Sequence, residues 1–432
     1  MSINARRDAI LVVALAGAAA AASSAYAQSF TGLGTLPGDT QTLGFGISAD
    51  GTTVVGASGS NNYYHHAFRW RASTGMVSIG VGENFAFAHA CNADGTVVCG
   101  VGDPDGTGNS AFRWSESGGM VRLSTLAGWG YSDSYSVSQD GSVVSGYCYD
   151  SSSGKRAVRW TNAGSGGGVM QDLGTLPNIC GAPFSQGYGG VSADGTVISG
   201  DGTASGCSGH AWRWVDNGSG GTMQDLGHLP GQYATDSLSF GLSGDGLVVV
   251  GQSQAADADQ AFRWTSAGGM QNIGILLTGG SEVSEADATN SDGSTVVGYY
   301  YSPAADSLHA FLWTTTLGAV DLNDYLPTLG IDLTGWNLMY AQAISADGKT
   351  IAGRAEHNGV NEAWVASLGS SCYPNCDGST APPILNANDF QCFLNKFAGG
   401  DTYANCDGST AIPVLNANDF QCFLNKYAAG CS

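Results

Sequence analysis

Charge is scarce in this chain: Asp, Glu, Lys and Arg make up 12% of its 432 residues, about half the usual share. Basic residues are scarcer still, 15 against 36 acidic ones, for a net charge of −21. A chain this acidic is repelled by phosphate backbones and anionic lipid surfaces, which excludes nucleic acid as an expected partner. Proline is also sparse, 11 residues against 66 glycines, so the composition is one of tight turns and neutral strands, not of solvated helices. No Gly-x-Ser-x-Gly elbow occurs, and His65, His66, His89, His210, His228, His309 and His357 have no zinc-ligand spacing. No catalytic residue is therefore assigned. Paired carboxylates for glycoside hydrolysis meet in space and not in sequence, and remain open.

Long hydrophobic runs are missing too. The most apolar stretch, Ala9 to Ala22, is about 14 residues, short of the roughly 20 that span a bilayer as a helix. It follows Arg6 and Arg7 and precedes Ala25-Tyr26-Ala27, the pattern of a secretory signal with a small-residue cleavage site. Residues 1–27 are therefore expected to be removed, leaving a secreted or cell-surface protein without a transmembrane segment. That product keeps 13 basic and 35 acidic residues, a net charge of −22. At about 400 residues it exceeds the size of a single compact core, so several units or one repeat architecture are expected.

What the chain does have is an internal period. Asp50-Gly51, Asp94-Gly95, Asp140-Gly141, Asp194-Gly195, Asp245-Gly246, Asp292-Gly293 and Asp347-Gly348 lie 44 to 55 residues apart. Each is followed by a β-rich run such as Thr53-Val54-Val55-Gly56, and Asp-Gly between such runs signals a hairpin. Next comes an aromatic strand, as in Ala67-Phe68-Arg69-Trp70 or Ala211-Trp212-Arg213-Trp214, whose alternation separates the Ala and Arg positions from the aromatic ones. A fourth segment follows, as in Met170-Gln171-Asp172-Leu173-Gly174-Thr175-Leu176-Pro177. Four strands in about 50 residues, unable to bury both faces alone, form one propeller blade. The last repeat stops near Ser367-Leu368 without its fourth strand, and Gly32-Leu33-Gly34-Thr35-Leu36-Pro37 supplies that segment at the other end. An all-β, seven-bladed β-propeller over 28–368, closed by its N-terminal strand, is thus expected, with an open solenoid as the rival.

The triplets His66-Ala67-Phe68 and His309-Ala310-Phe311, with His210-Ala211-Trp212 as a variant, resemble the HAF repeats of a family of secreted bacterial proteins. The resemblance implies an extracellular propeller and no assigned chemistry. The recurring Arg69, Arg113, Arg159, Arg213 and Arg263 are read as blade-to-blade salt bridges or ligands of strand-end carbonyls. Tyr63-Tyr64-His65-His66 and Tyr299-Tyr300-Tyr301 either stack on sugar rings or lie in strands and core. Cys180 and Cys207 are candidates to bridge the loops of the fourth repeat, and a bridge between Cys91 and Cys99 is conceivable across the hairpin of the second.

From Ser371 the chain changes character, with Cys372, Cys376, Cys392, Cys406, Cys422 and Cys431 within about 60 residues. Two copies align at a spacing of 30, Asn375-Cys376-Asp377-Gly378-Ser379-Thr380 with Asn405-Cys406-Asp407-Gly408-Ser409-Thr410. Phe390, Phe393, Leu394 and Phe397, and their counterparts Phe420, Phe423, Leu424 and Tyr427, form one helical stripe in each copy. The 369–432 segment is therefore a small, disulfide-rich, duplicated loop-helix domain. It resembles a dockerin, most closely the Cys-containing GC type. That resemblance implies a cohesin-like or cell-surface partner, and Ca²⁺ held by Asn375, Asp377 and Asp389 in one copy and Asn405, Asp407 and Asp419 in the other. Tyr373 and Tyr403 stand where an opening Asp is expected, and the loops are about five residues too long, so the alternative is a module held by disulfides in which Asp389 only caps its helix. Equal spacing suggests Cys376 with Cys392 and Cys406 with Cys422, leaving Cys372 with Cys431, one of fifteen pairings.

Two functions follow. The first is a secreted or surface-bound non-catalytic propeller that presents a glycan or protein ligand and is anchored by its tail; the alternative is a secreted polysaccharide hydrolase or lyase. A convergent cluster of carboxylates or His at one mouth of the ring would favour the enzyme.

Overall fold

The computed structural model describes residues 28–60, 63–80, 85–161, 167–178, 181, 184–231, 235–255, 258–274, 283–303, 305–369, 376, 385–401, 404–406 and 414–429. The expected signal segment, 1–27, lies outside them. Chain contacts separate a unit at Ala27–Gly369 from one that contains Ser370–Ser432.

The first unit is a seven-bladed propeller of four-stranded antiparallel sheets. Blade 1 comprises Gln41–Ile47, Thr53–Ser60, Tyr63–Arg71 and Gly75–Ser78. Blades 2 to 6 repeat that order, with inner strands Ala86–Cys91, Tyr131–Val137, Ser185–Val191, Ser237–Leu242 and Ser284–Thr289. Blade 7 has Trp336–Ile344, Thr350–His357 and Val360–Ser367, and its fourth strand is Ser29–Gly32. The register runs from Ser29 opposite Ser367 to Gly32 opposite Trp364, so the N-terminal strand closes the ring and covers the last sheet edge. The closing strand ends where the sequence reading began it. Leu33-Gly34-Thr35-Leu36-Pro37 is the link to blade 1, and its buried Leu33 and Leu36 wedge between blades 7 and 1 as Leu226 and Leu229 do between blades 4 and 5.

The Asp-Gly pairs turn each inner strand into the second. In blade 1, Asp50 Oδ1 accepts from Ser48 Oγ at 2.5 Å, Thr52 Oγ1 at 2.8 Å and the Thr52 amide at 2.9 Å, while the Thr53 amide donates to Ser48 Oγ at 2.9 Å. The following Gly51 sits at φ 73°, where a side chain is strained. Turns at Asp140, Asp194, Asp245 and Asp347 repeat the Ser-to-Asp contact, and Asn92 and Asn290 replace the Ser in blades 2 and 6.

These seven turns also bond to one another. The amide of Asp50 donates to Ala93 O, Ala93 to Gln139 O, Gln139 to Ala193 O, Ala193 to Gly244 O, Asp245 to Ser291 O, Ser291 to Ala346 O, and Ala346 back to Ala49 O, all at 2.8 to 3.1 Å. One end of the central channel is thus framed by a closed annulus of backbone hydrogen bonds, one per blade junction. At strand-like spacing, seven steps of roughly 5 Å make a circle of roughly 6 Å radius at Cα.

The apolar core is distributed in seven layers, one between each pair of neighbouring blades. Alternation in the aromatic strand feeds both layers of a blade: Ala67 packs toward blade 2 while Phe68 and Trp70 pack toward blade 7. The same alternation overturns the conceivable Cys91–Cys99 bridge. Cys91 pairs with Val98 and Cys99 with Ala90, so the two thiols point to opposite faces and lie buried and free in different layers.

In the second unit, α1 (Ala387–Gly399) and α2 (Ala417–Ala429) repeat one sequence except at Phe397/Tyr427 and Gly399/Ala429. Phe393 and Phe423, both fully buried, stack with centroids 4.0 Å apart, and Ala404 completes a three-residue core. Cys376 is bonded to Cys392 and Cys406 to Cys422.

Candidate functional site

The inner strands of all seven blades carry a β-bulge, and each bulge turns one side chain into the channel. The ladder skips Phe45, His89, Tyr135, Phe240, Asp287 and Gln342, and in blade 4 it skips 187–189, which contains Tyr188. These seven residues line a cavity of about 230 Å³ on the channel axis.

The channel is two-faced. Along blades 1 to 4 runs a continuous aromatic arc: Phe45 meets His89 edge-on at 5.9 Å, His89 stacks on Tyr135 at 4.5 Å, and Tyr135 meets Tyr188 at 4.0 Å. Behind it Asp133, 3% exposed, accepts from Tyr135 Oη at 2.9 Å and faces His89 Nδ1 at 3.5 Å. Burial pushes the Asp133 carboxyl above the usual range, with His89 opposing. Lys155 lies over the Tyr147 ring at 4.6 Å and donates to Gln186 at 2.7 Å; Gln186 in turn donates to both oxygens of Asp201. Burial raises Asp201 to about 7, against the pull of Gln186 and Lys155.

Blades 6 and 7 supply the polar arc. Glu285 accepts from Tyr299 Oη at 2.9 Å, and the Arg354 guanidinium lies 4.0 Å over the Tyr340 ring. Desolvation drives both Glu285 and Asp287 upward; Glu285 adds to the rise at Asp287 while Arg354 draws it back, and hydrogen bonds from Tyr299 and Asp287 oppose the rise at Glu285. Asp287 Oδ2 and Arg354 Nε are buried polar atoms without a hydrogen-bond partner, as is Asp133 Oδ1 across the channel. Such atoms carry a desolvation cost that a hydroxyl-bearing ligand or water relieves.

The residues singled out in the sequence lie elsewhere. Arg113, Arg213 and Arg263 each donate to a turn carbonyl of the next blade, at 3.3, 2.7 and 2.9 Å. Arg69 and Arg159 pair with Glu116 and Asp216 at 2.6 Å and lie over Trp114 and Trp214. His66, His210 and His309 face Asp39, Asp225 and Asp321 at 2.9, 2.8 and 2.6 Å, outside the channel lining. Tyr299, Tyr300 and Tyr301 belong to a strand, and only Tyr299 reaches the channel's carboxyls. The side chains of Tyr63, Tyr64 and His65 lie outside the described residues.

Of the expected calcium ligands, Asp389 and Asp419 are fully buried and each accepts from the amide three residues before it, Asn386 and Asn416, at 2.8 Å. Asn386 and Asp389 form a reciprocal capping box, which is the role of the calcium-free alternative. Asn405 adjoins the bonded Cys406; Asn375, Asp377 and Asp407 lie outside the described residues, as do Cys372, Cys431 and Cys180. Cys207 is oxidised in a disulfide. No group of three or more His, Cys, Asp or Glu among the described residues is arranged to hold a metal.

No family model matches the chain, and no curated protein matches it. Solved structures do. An oligogalacturonate lyase in complex with manganese superposes with a TM-score of 0.50 at 12% identity, covering 80% of this chain and 98% of the lyase. A puromycin hydrolase gives 0.50 at 11% identity over 78% of this chain and 54% of its own. The β-propeller domain of the Trilobed protease from Pyrococcus furiosus gives 0.46 at 7% identity over 76% and 96%. The likeness is one of fold: a propeller used by proteins of unlike chemistry. Among the described residues no helix is long and apolar enough to cross a membrane.

Proposed function

We propose that this is an exported, non-catalytic saccharide-binding propeller of the HAF-repeat kind, anchored to a cohesin-like or cell-surface partner by a dockerin-like tail. The observation that supports the ligand class is the two-faced channel. An aromatic arc at Phe45, His89, Tyr135 and Tyr188 suits the apolar face of a sugar ring. Opposite it, Gln342 and Asp287, whose buried Oδ2 lacks a hydrogen-bond partner, line the same cavity and suit its hydroxyls. In the tail, Ca²⁺ would be held by Asn375, Asp377, Asp389, Asn405, Asp407 and Asp419, and would add charge and rigidity to the loops.

The carboxyls Asp133, Asp201, Glu285 and Asp287 give the hydrolase or lyase reading its one specific support, because raised carboxyls act as general acids. Binding remains the better reading. Of the four only Asp287 lines the cavity, and acid–base cleavage of a glycosidic bond needs a second carboxyl facing the same ligand. Calorimetric titration of the full chain with a panel of oligosaccharides, with reducing ends assayed on the same samples, tests both. Saturable binding without new reducing ends is expected, and cleavage would establish the enzyme instead.

A further inference from the structure

We infer that the channel takes the end of a saccharide chain and not its interior, an assignment that rests on the saccharide-binding reading above. Between the ring of inward-turned residues and the turns stands a collar of one residue per blade, each three positions before the Asp of its turn: Ile47, Cys91, Val137, Val191, Leu242, Thr289 and Ile344. All seven line the cavity of about 230 Å³, and all but Leu242 also line a second cavity of about 130 Å³ on the side of the turns. The collar is therefore the partition between the two.

This partition offers a saccharide nothing to bond to. Five of its side chains are aliphatic and one is a thiol, and the Thr289 hydroxyl already donates to Thr295 O at 2.8 Å. Beside it, Ser136 Oγ accepts from the Val191 amide at 3.1 Å, and beyond it the turn amides and carbonyls are engaged with one another in the annulus. Hydroxyls carried into the collar would leave water without a new partner, a cost repeated at each of them. The collar is also held in place. Ile47, Cys91, Val137, Val191 and Ile344 are each at most 9% exposed and belong to five different inter-blade layers, so widening it would pull packed side chains out of the junctions that hold the ring.

The larger cavity is thus a cul-de-sac for a hydroxylated ligand, reached from the end away from the turns. At about 230 Å³ it is smaller than the roughly 300–1,000 Å³ that encloses a drug-sized ligand, so it accommodates a terminal unit and leaves the rest of the chain outside. An internal unit needs room for chain on both sides, and on one side stands the collar.

The test compares long-chain mixed-linkage β-glucan, galactomannan and xylan with their own short hydrolysates, each titrated into the full-length protein at equal mass. Polymers of about 100 units carry about twenty-fivefold fewer ends per gram than hydrolysates of about four units, so at least one hydrolysate should bind at least about tenfold tighter by mass than its parent. Equal or tighter binding of the polymers overturns end recognition while leaving the saccharide-binding reading intact, and binding of neither form overturns that reading itself. Phe240→Ala removes a ring from the cavity and leaves the collar in place. It should weaken hydrolysate binding several-fold with its thermal transition retained, and an unchanged affinity would put the saccharide outside the channel and overturn the inference.

Discussion

The two units of this chain solve the same problem, a repeated element too small to fold alone, in opposite ways. In the propeller, each four-stranded sheet is flanked by apolar layers shared with its neighbours, and the ring is bonded through strand pairing at Ser29–Gly32 and the seven-turn annulus. In the tail, two helices share a core of Phe393, Ala404 and Phe423 and rely on the Cys376–Cys392 and Cys406–Cys422 bonds. The lesson is one of surface to volume: seven copies share apolar layers at every junction and carry a disulfide at Cys207 in a loop of one blade, whereas each of the two tail copies has its own disulfide.

The sharpest way to break the contrast is to damage one layer of the ring. Trp364 is fully buried, stacks on Phe30 of the closing strand and belongs to the last layer. Trp364→Ala should cost about 3–5 kcal/mol by urea denaturation, in one cooperative transition of the whole propeller. A separate early transition confined to blade 7 would argue that the ring does not share its stability. Next in size, Cys376→Ser with Cys392→Ser should destabilise the tail by about 2–4 kcal/mol, read as lost helical ellipticity, with the propeller's melting temperature unmoved.

A pH series probes the propeller's buried charge. Asp201 is 2% exposed, with a carboxyl raised from an ordinary value near 3.8 to about 7. The folded state therefore holds a proton that the unfolded chain has released, and stability should fall as pH rises from about 4 to about 7. Asp201→Asn should reduce that slope, leaving the part due to Asp133, Glu285 and Asp287, and stabilise the protein above pH 7 by on the order of 2 kcal/mol. A slope undiminished in the variant would assign none of it to Asp201. The smallest effect is in the tail, where Asp389→Ala should cost about 1 kcal/mol through the lost cap. If the loop binds calcium, that loss should grow when Ca²⁺ is present, and equal melting shifts with and without it would leave Asp389 as a cap alone.

The blade count was legible because its signal is local. Each Asp-Gly pair completes its own turn through contacts within five residues, so the period survives however the blades vary. Strand ends were less legible, since Leu33 to Pro37 has the apolar character of a strand yet serves as a wedge between blades. The channel lining was not read at all, because Phe45, His89, Tyr135, Tyr188, Phe240, Asp287 and Gln342 share no single residue type. They do share an address: each lies five residues before the Asp of its turn, except Tyr188, which lies six before Asp194 because its bulge is longer. Position within the repeat, not residue type, was the usable signal. The carboxyl cluster needed coordinates, since Asp133, Asp201 and Glu285 come from different blades and strands.

Everything placed in the channel requires that the ring be shut, and hydrogen exchange measures that directly. The amides of Ser29–Gly32 should be protected to the same degree as those of Val360–Ser367, and the two segments should lose protection together as denaturant is added. Exchange of 29–32 within seconds, while 360–367 stays protected, would show an open array and contradict the account.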